Sequence, residues 1–165
     1  MRWARFSAFI VVVALLQAGL GEALSVTELG IKPDLLLILM VFFAVYCNTT
    51  DAIVTSFATG FAADLIGHAM GPHMISFGVV GTLLAYLHKF IAIRQLLYQA
   101  AVIFVAGLLT GFAAYLLDMV KGHPAVGDIN SFVSGTSLYS AVIGPFFFLP
   151  AAWLMRMKAQ RFGRT

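Results

Sequence analysis

Residues 60–72 read GFAADLIGHAMGP, and this stretch decides the fold because it places a single carboxylate inside a long apolar run. On a helix, residues spaced by three, four or seven positions share a face. The stretch therefore predicts one helix face that holds three glycines, an acid and an imidazole, namely Gly60, Asp64, Gly67, His68 and Gly71. In a membrane, glycines at such spacing allow close helix packing, and an ionisable side chain normally faces other helices or a wet cavity.

The composition of the whole chain is that of a membrane protein. Of its 165 residues, 61% are hydrophobic and only 10% are charged, and the mean hydropathy is +0.97. Because a spanning helix uses about 20 mostly apolar residues, six spans fill most of the chain and leave no room for a second domain. We therefore predict an all-α integral membrane protein, a single bundle of six transmembrane helices. Its lone cysteine, Cys47, excludes an internal disulfide.

Six apolar runs follow one another along the chain, separated by polar turns. The first run is long enough to span, and many spans follow it, which favours a membrane helix over a signal peptide. The predicted spans cover about residues 6–24, 33–47, 52–70, 74–88, 96–117 and 135–155. The longest polar segment, residues 118–134, precedes the last span. The polar turn of residues 48–51, Asn-Thr-Thr-Asp, is a natural N-cap for the third span.

Pro33 and Asp34 open the second span. Proline at the first helical position has its backbone already set for the helix, and an acid in the first turn suits the positive end of the helix dipole. We expect these two residues to fix the second helix at the outer surface of the membrane, close to Asp64.

The basic residues indicate how the chain is oriented. With six spans, one side of the membrane receives eight of the ten basic residues, which are Arg2, Arg5, Lys89, Arg94, Arg156, Lys158, Arg161 and Arg164. The other side receives only Lys32 and Lys121. By the positive-inside rule, both termini are predicted to be cytoplasmic.

Asp64 and His68 admit several interpretations. They could form a proton relay or an ion path, bind a metal, lock the bundle through hydrogen bonds, or contact a partner helix. An Asp/His pair at i and i+4 has plausible ligand spacing, but no third ligand is fixed by the sequence. We therefore predict no metal and no cofactor, and assign partner-binding or bundle-locking roles to Asp64, Gly60, Gly67, His68, Gly71, Pro33 and Asp34.

Other chemistry lacks its motifs. The sequence has no GxSxG nucleophile elbow and no glycine-rich phosphate loop. The basic segment after the last span is typical of an anchor on anionic lipid rather than a nucleic-acid site. We expect no enzyme activity and no nucleic-acid binding.

Several of these features together resemble a known family. Lys32-Pro33-Asp34 leads into a leucine-rich span, and a G-F-x-x-D-L helix with Gly67 and then Gly71-Pro72 follows after a short turn. In order, spacing and length, the chain resembles the bacterial rod shape-determining protein MreD family. The resemblance implies a multi-pass protein of the cytoplasmic (inner) membrane that takes part in cell elongation and is not an enzyme.

The resemblance also implies partners. The family's direct partner is MreC, a single-span protein with a large outer domain, and through it MreB, RodZ, RodA and a class B penicillin-binding protein are reached. On this basis we predict a rigid platform in the lipid bilayer that grips MreC and supports peptidoglycan synthesis and rod shape.

The family also resembles, distantly in fold, the substrate-binding S components of energy-coupling-factor transporters. The alternative function is therefore a small-molecule binding subunit. An AxxxA pair, Ala4 and Ala8, is similar to the one with which those subunits dock, but the sequence shows no dense set of polar or aromatic groups suited to a vitamin.

Overall fold

The computed structural model describes residues 3–20, 33–67, 71–87, 96–122 and 129–155. Within these ranges the chain forms six α-helices and no strand, which confirms the prediction of six helices. The helices are α1 (Trp3–Leu20), α2 (Leu35–Tyr46), α3 (Thr49–Ile66), α4 (Pro72–Leu87), α5 (Leu96–Val120) and α6 (Ile129–Met155).

The second helix, α2, is the centre of the bundle. All ten residues from Leu35 to Ala44 are buried, and α2 packs against each of the other five helices. A helix that is apolar all round belongs in a core, since no side of it is suited to water. The helix α2, with the sequence LLLILMVFFAVY, is therefore the central core helix on which the other five helices pack.

Glycines set the closest helix contacts. An added Cβ at Gly60 would lie 2.6 Å from the His73 carbonyl oxygen, so α3 and α4 touch backbone to backbone. On the other side of the bundle, a Cβ at Gly107 would lie 2.7 Å from Ser137 Oγ, which brings α5 onto α6. The bundle is thus built from two tight hairpins, α3–α4 and α5–α6, packed around α2.

The buried hydroxyls of α3 and α5 are satisfied within their own helix. Thr55 and Ser56 donate to the Ala52 carbonyl oxygen at 3.0 and 2.7 Å, and Thr110 donates to that of Ala106 at 2.8 Å. Such bonds to the preceding turn let small polar residues lie in an apolar bundle without an unmet donor.

Several helix boundaries differ from the predicted spans. The helix α3 ends at Ile66 rather than at residue 70, and α6 begins at Ile129, six residues before the predicted start. Much of the predicted polar segment 118–134 is therefore helical, and α6 continues as one helix through Pro145 and Pro150.

Helix lengths vary widely. Among the described residues, one helical segment, Leu97–Val120, is long and apolar enough to cross a membrane by itself, with a mean hydropathy of 2.2 over its most apolar part. Four apolar segments are shorter: Phe6–Gly19, Leu35–Tyr46, Pro72–Leu87 and Val133–Phe148. That all six helices span stays a prediction.

Candidate functional site at one end of the bundle

Asp64 lies in the last turn of α3 and is only 3% exposed. Its Oδ2 accepts hydrogen bonds from the backbone N–H groups of Gly71 and Met74, both at 2.9 Å. Its Oδ1 accepts from the backbone N–H of His73 at 3.0 Å and lies 3.2 Å from His73 Nδ1. A carboxylate has about four acceptor positions, so Asp64 is saturated by its own chain.

These bonds make Asp64 the cap of a helix to which it does not belong. The first N–H groups of a helix have no partner inside the helix, and α4 begins at Pro72. The preceding residue, Gly71, has no side chain with which to cap, and its φ of +110° lies in the left-handed region. Asp64 therefore supplies the missing acceptor from α3, which joins the end of one helix to the start of the next.

His73 is the exposed member of this arrangement. Its side chain is 38% exposed while that of Asp64 is 2% exposed. Because a carboxylate oxygen only accepts, the Nδ1 of His73 donates, and this leaves Nε2 as the second hydrogen-bonding atom of the ring. Phe77 holds the ring in an edge-to-face contact, with ring centroids 6.1 Å apart. The imidazole is thus held in a fixed orientation at the surface.

The helix face predicted over Gly60, Asp64, Gly67, His68 and Gly71 does not extend to Gly67 and Gly71. Gly67 is the C-cap of α3 and has φ of −74°, and Gly71 lies in the turn before α4. An added Cβ at Gly67 would meet only carbonyl oxygens of its own helix, the nearest at 3.4 Å. Within the described part of the chain, a Cβ at Gly67 would therefore meet no other helix, and His68 lies outside that part.

A second polar cluster surrounds Asp34. Its Oδ1 accepts from the backbone N–H of Leu37 at 3.0 Å and from Gln17 Nε2 at 3.2 Å. The backbone N–H of Asp34 donates to Ser140 Oγ at 2.8 Å, and Gln17 Oε1 accepts from the backbone N–H of Leu36 at 2.9 Å. The N-terminus of α2 is thereby tied to α1 and α6.

The second helix begins later than the sequence predicted, which changes the positions of Pro33 and Asp34 relative to its start. The helix α2 begins at Leu35, so Asp34 is its N-cap rather than a residue of its first turn. Pro33 is buried and precedes the cap. The reason is that an Asp side chain accepting from the third helical N–H is itself the preferred start of a helix.

Both clusters lie at the same end of the bundle, which we call the cap end. The chain turns from α3 into α4 there, and a Cβ at Gly71 would lie 2.9 Å from Lys121 Nζ, just beyond α5. The side-chain oxygen Asp118 Oδ1 is buried nearby along α5 and has no hydrogen-bond partner among the described residues. The cap end thus gathers the charged groups Asp34, Asp64, Asp118 and Lys121.

The structure brings Asp64, Gly60 and Gly71 together around the start of α4, and places Pro33 and Asp34 at the start of α2. The site residues predicted from the sequence do not include His73, Gln17 or Ser140. Gln17 interrupts an otherwise apolar run, which was the one signal available, while Ser140 and His73 stand in no recognisable pattern.

The described residues contain no cluster of three or more His, Cys, Asp or Glu side chains that could hold a metal ion. Two of the carboxylates at the cap end, Asp34 and Asp64, instead cap helices. Together, the buried apolar α2, the exposed apolar side chains of the other helices and the helix caps define the class as an all-α bundle with an apolar surface.

The comparison with protein families identifies the family within this class. The family model "rod shape-determining protein MreD" matches residues 1–158, and the chain belongs to that family. The resemblance noted in the sequence is therefore confirmed, and with it a membrane protein associated with rod shape determination. Neither the comparison with curated proteins nor that with solved structures found a match.

Proposed function

We propose that this protein is a non-enzymatic platform of the bacterial cell-elongation machinery, placed in the cytoplasmic membrane with both termini inside. In this role it binds MreC and so supports peptidoglycan synthesis during growth of the side wall. The observation that carries the proposal is the family match over residues 1–158, nearly the whole chain.

The geometry of the cap end supports a platform role. At this end of the bundle, the hydrogen bonds of Asp34 join α2 to α1 and α6, and those that Asp64 accepts join α3 to the start of α4. Side chains that are locked by their surroundings lose little entropy when a partner binds. By the orientation predicted from charge, the cap end faces outward, where the outer domain of MreC lies next to its single span.

In this proposal, Asp64 holds the turn between α3 and α4 in place, and His73 contacts MreC. The Asp64 carboxylate is buried and fully used within the chain, which leaves no acceptor for a partner. His73 is partly exposed and oriented, so its Nε2 is suited to a hydrogen-bond donor from MreC.

Affinity purification from gently solubilised native membranes tests the proposal. We expect MreC and cell-wall synthesis enzymes to co-purify with the tagged protein. We further expect His73→Ala to lower the recovery of MreC severalfold while the protein remains folded, because three backbone bonds to Asp64 are kept. Thr50→Ala, at an exposed position on the opposite end, is the matched control and should recover MreC normally.

Other results would contradict the proposal. Recovery of an ATPase pair with a transmembrane coupling subunit, and no MreC, would favour the S-component alternative. Against that alternative, the buried apolar side chains of α2 occupy the centre of the bundle in the part of the chain that the structure describes. Normal MreC recovery by the His73→Ala variant would exclude His73 as the contact but not the platform role.

A further inference from the structure

The exposed apolar surface of α3 is short along the helix axis. Its exposed large side chains are Val54, Phe57, Phe61 and Leu65, here called the α3 edge. From Val54 to Leu65 the helix rises about 17 Å, whereas the hydrocarbon core of a bilayer is about 30 Å thick.

A polar first turn limits this edge at one end, and the end of the helix limits it at the other. The helix begins after Asn48 with the sequence Thr-Thr-Asp, and Asn48 and Thr50 are exposed. At the other end, the chain leaves the helix at Gly67 and Asp64 caps α4. Even the whole of α3, with 18 residues, is only about 27 Å long, and its first turn is polar.

The surface of α5 has a very different length. Large exposed apolar side chains run from Leu97, 79% exposed, to Val120, 86% exposed. They include Val105, Leu109, Phe112 and Leu116, and this α5 edge is about 35 Å long. One molecule therefore presents apolar edges that differ about twofold in length.

Tilting the molecule cannot remove the mismatch at α3. A helix that is too long fits by tilting, and the 24-residue apolar segment of α5, about 36 Å long, fits a 30 Å core at a tilt of about 34°. A helix that is too short becomes shorter still when tilted. Long cationic side chains that could reach past the mismatch are also missing, because α3 contains no Lys or Arg.

We propose that the α3 edge binds lipids with short acyl chains and locally thins the bilayer, while the α5 edge binds longer ones. A mismatch costs a fraction of a kcal/mol per Å, which is enough to enrich one chain length over another at each edge. The protein then carries a gradient of membrane thickness from one edge to the other, a property separate from the binding of MreC.

Fluorescence quenching in bilayers of brominated phosphatidylcholine tests this inference edge by edge. Phenylalanine replaces the two native tryptophans, Trp3 and Trp153, and one new tryptophan is then placed at the α3 edge (Phe61→Trp) or, as the matched control, at the α5 edge (Phe112→Trp). Both positions are exposed, at 50% and 57%. Chain lengths from fourteen to twenty-two carbons are compared, each against an unbrominated reference lipid.

We expect the Phe61→Trp reporter to favour the shortest chains over twenty-carbon chains by about twofold or more, and the Phe112→Trp reporter to show its maximum at longer chains. Maxima at the same chain length for both reporters would overturn the inference. Absence of quenching at Phe61→Trp with every lipid would also overturn it, because the α3 edge would then not face lipid.

Discussion

The carboxylate of Asp64 belongs to α3 but stabilises the start of α4. The isosteric Asp64→Asn variant keeps one acceptor oxygen and points an amide N–H₂ group at backbone donors, leaving buried N–H groups without partners. We expect it to lower the free energy of unfolding by about 2 kcal/mol. Denaturation in detergent micelles, followed by circular dichroism, measures the loss.

His73→Ala provides the comparison for Asp64→Asn in the same experiment. It removes only the His73 side-chain contact and keeps the three backbone hydrogen bonds to Asp64, so the loss should be about 1 kcal/mol or less. Equal stability of the wild type and Asp64→Asn would show that the cap contributes nothing.

Two neighbouring glycines should respond differently to the same substitution. Gly71 has φ of +110°, and an added Cβ would lie 2.9 Å from Lys121 Nζ, so Gly71→Ala should destabilise the fold by about 1–2 kcal/mol. Gly67 has φ of −74°, so Gly67→Ala should change the stability by less than about 0.5 kcal/mol. If the two variants unfold alike, the turn before α4 does not require a glycine.

Among the helices, the contact between α3 and α4 depends on Gly60. A Cβ there would meet backbone atoms of His73 and Met74 at 2.6 and 2.7 Å. Since a backbone cannot move aside as a side chain can, Gly60→Ala should cost about 1–3 kcal/mol.

Gly19→Ala is the control for Gly60→Ala. Gly19 also lies in a helix, α1, but a Cβ there would meet nothing within 4 Å. Since Ala is the better helix former, this variant should be unchanged or more stable by up to about 1 kcal/mol. A Gly60→Ala protein as stable as Gly19→Ala would mean that α3 and α4 can separate without loss.

The number and type of the helices followed from the sequence because apolar runs and polar turns are local signals. The position at which α3 ends did not follow from the sequence. His68, Ala69 and Met70 are compatible with a longer helix, and the turn depends on bonds from Asp64 to residues seven to ten positions ahead. No periodic pattern records such bonds. No periodic pattern records the hydrogen bond from the Asp34 backbone N–H to Ser140 Oγ either, since the two residues are 106 positions apart.

The identity of the site residues was only partly accessible for the same reason. A buried carboxylate in an apolar run signals that Asp64 must find partners, but not which ones. Its partners are mainly backbone N–H groups, and every residue except proline has one. The exposed side chain that results from this arrangement, His73, could therefore be found only after the turn was seen.

At the scale of the whole molecule, the distribution of basic residues predicts that both termini are cytoplasmic and that the cap end faces outward. Lys121, followed by Gly122, lies at the cap end, whereas eight of the ten basic residues belong to the opposite side in the predicted topology.

Green fluorescent protein fused after Thr165 should be fluorescent, since it folds in the cytoplasm, and alkaline phosphatase inserted after Gly122 should be active, since it requires the outer side. The two reporters exchanged between the positions should both be inactive, which controls for expression. An active phosphatase after Thr165 would reverse the orientation, place His73 and the cap end inside, and remove the outer domain of MreC as the partner of this surface.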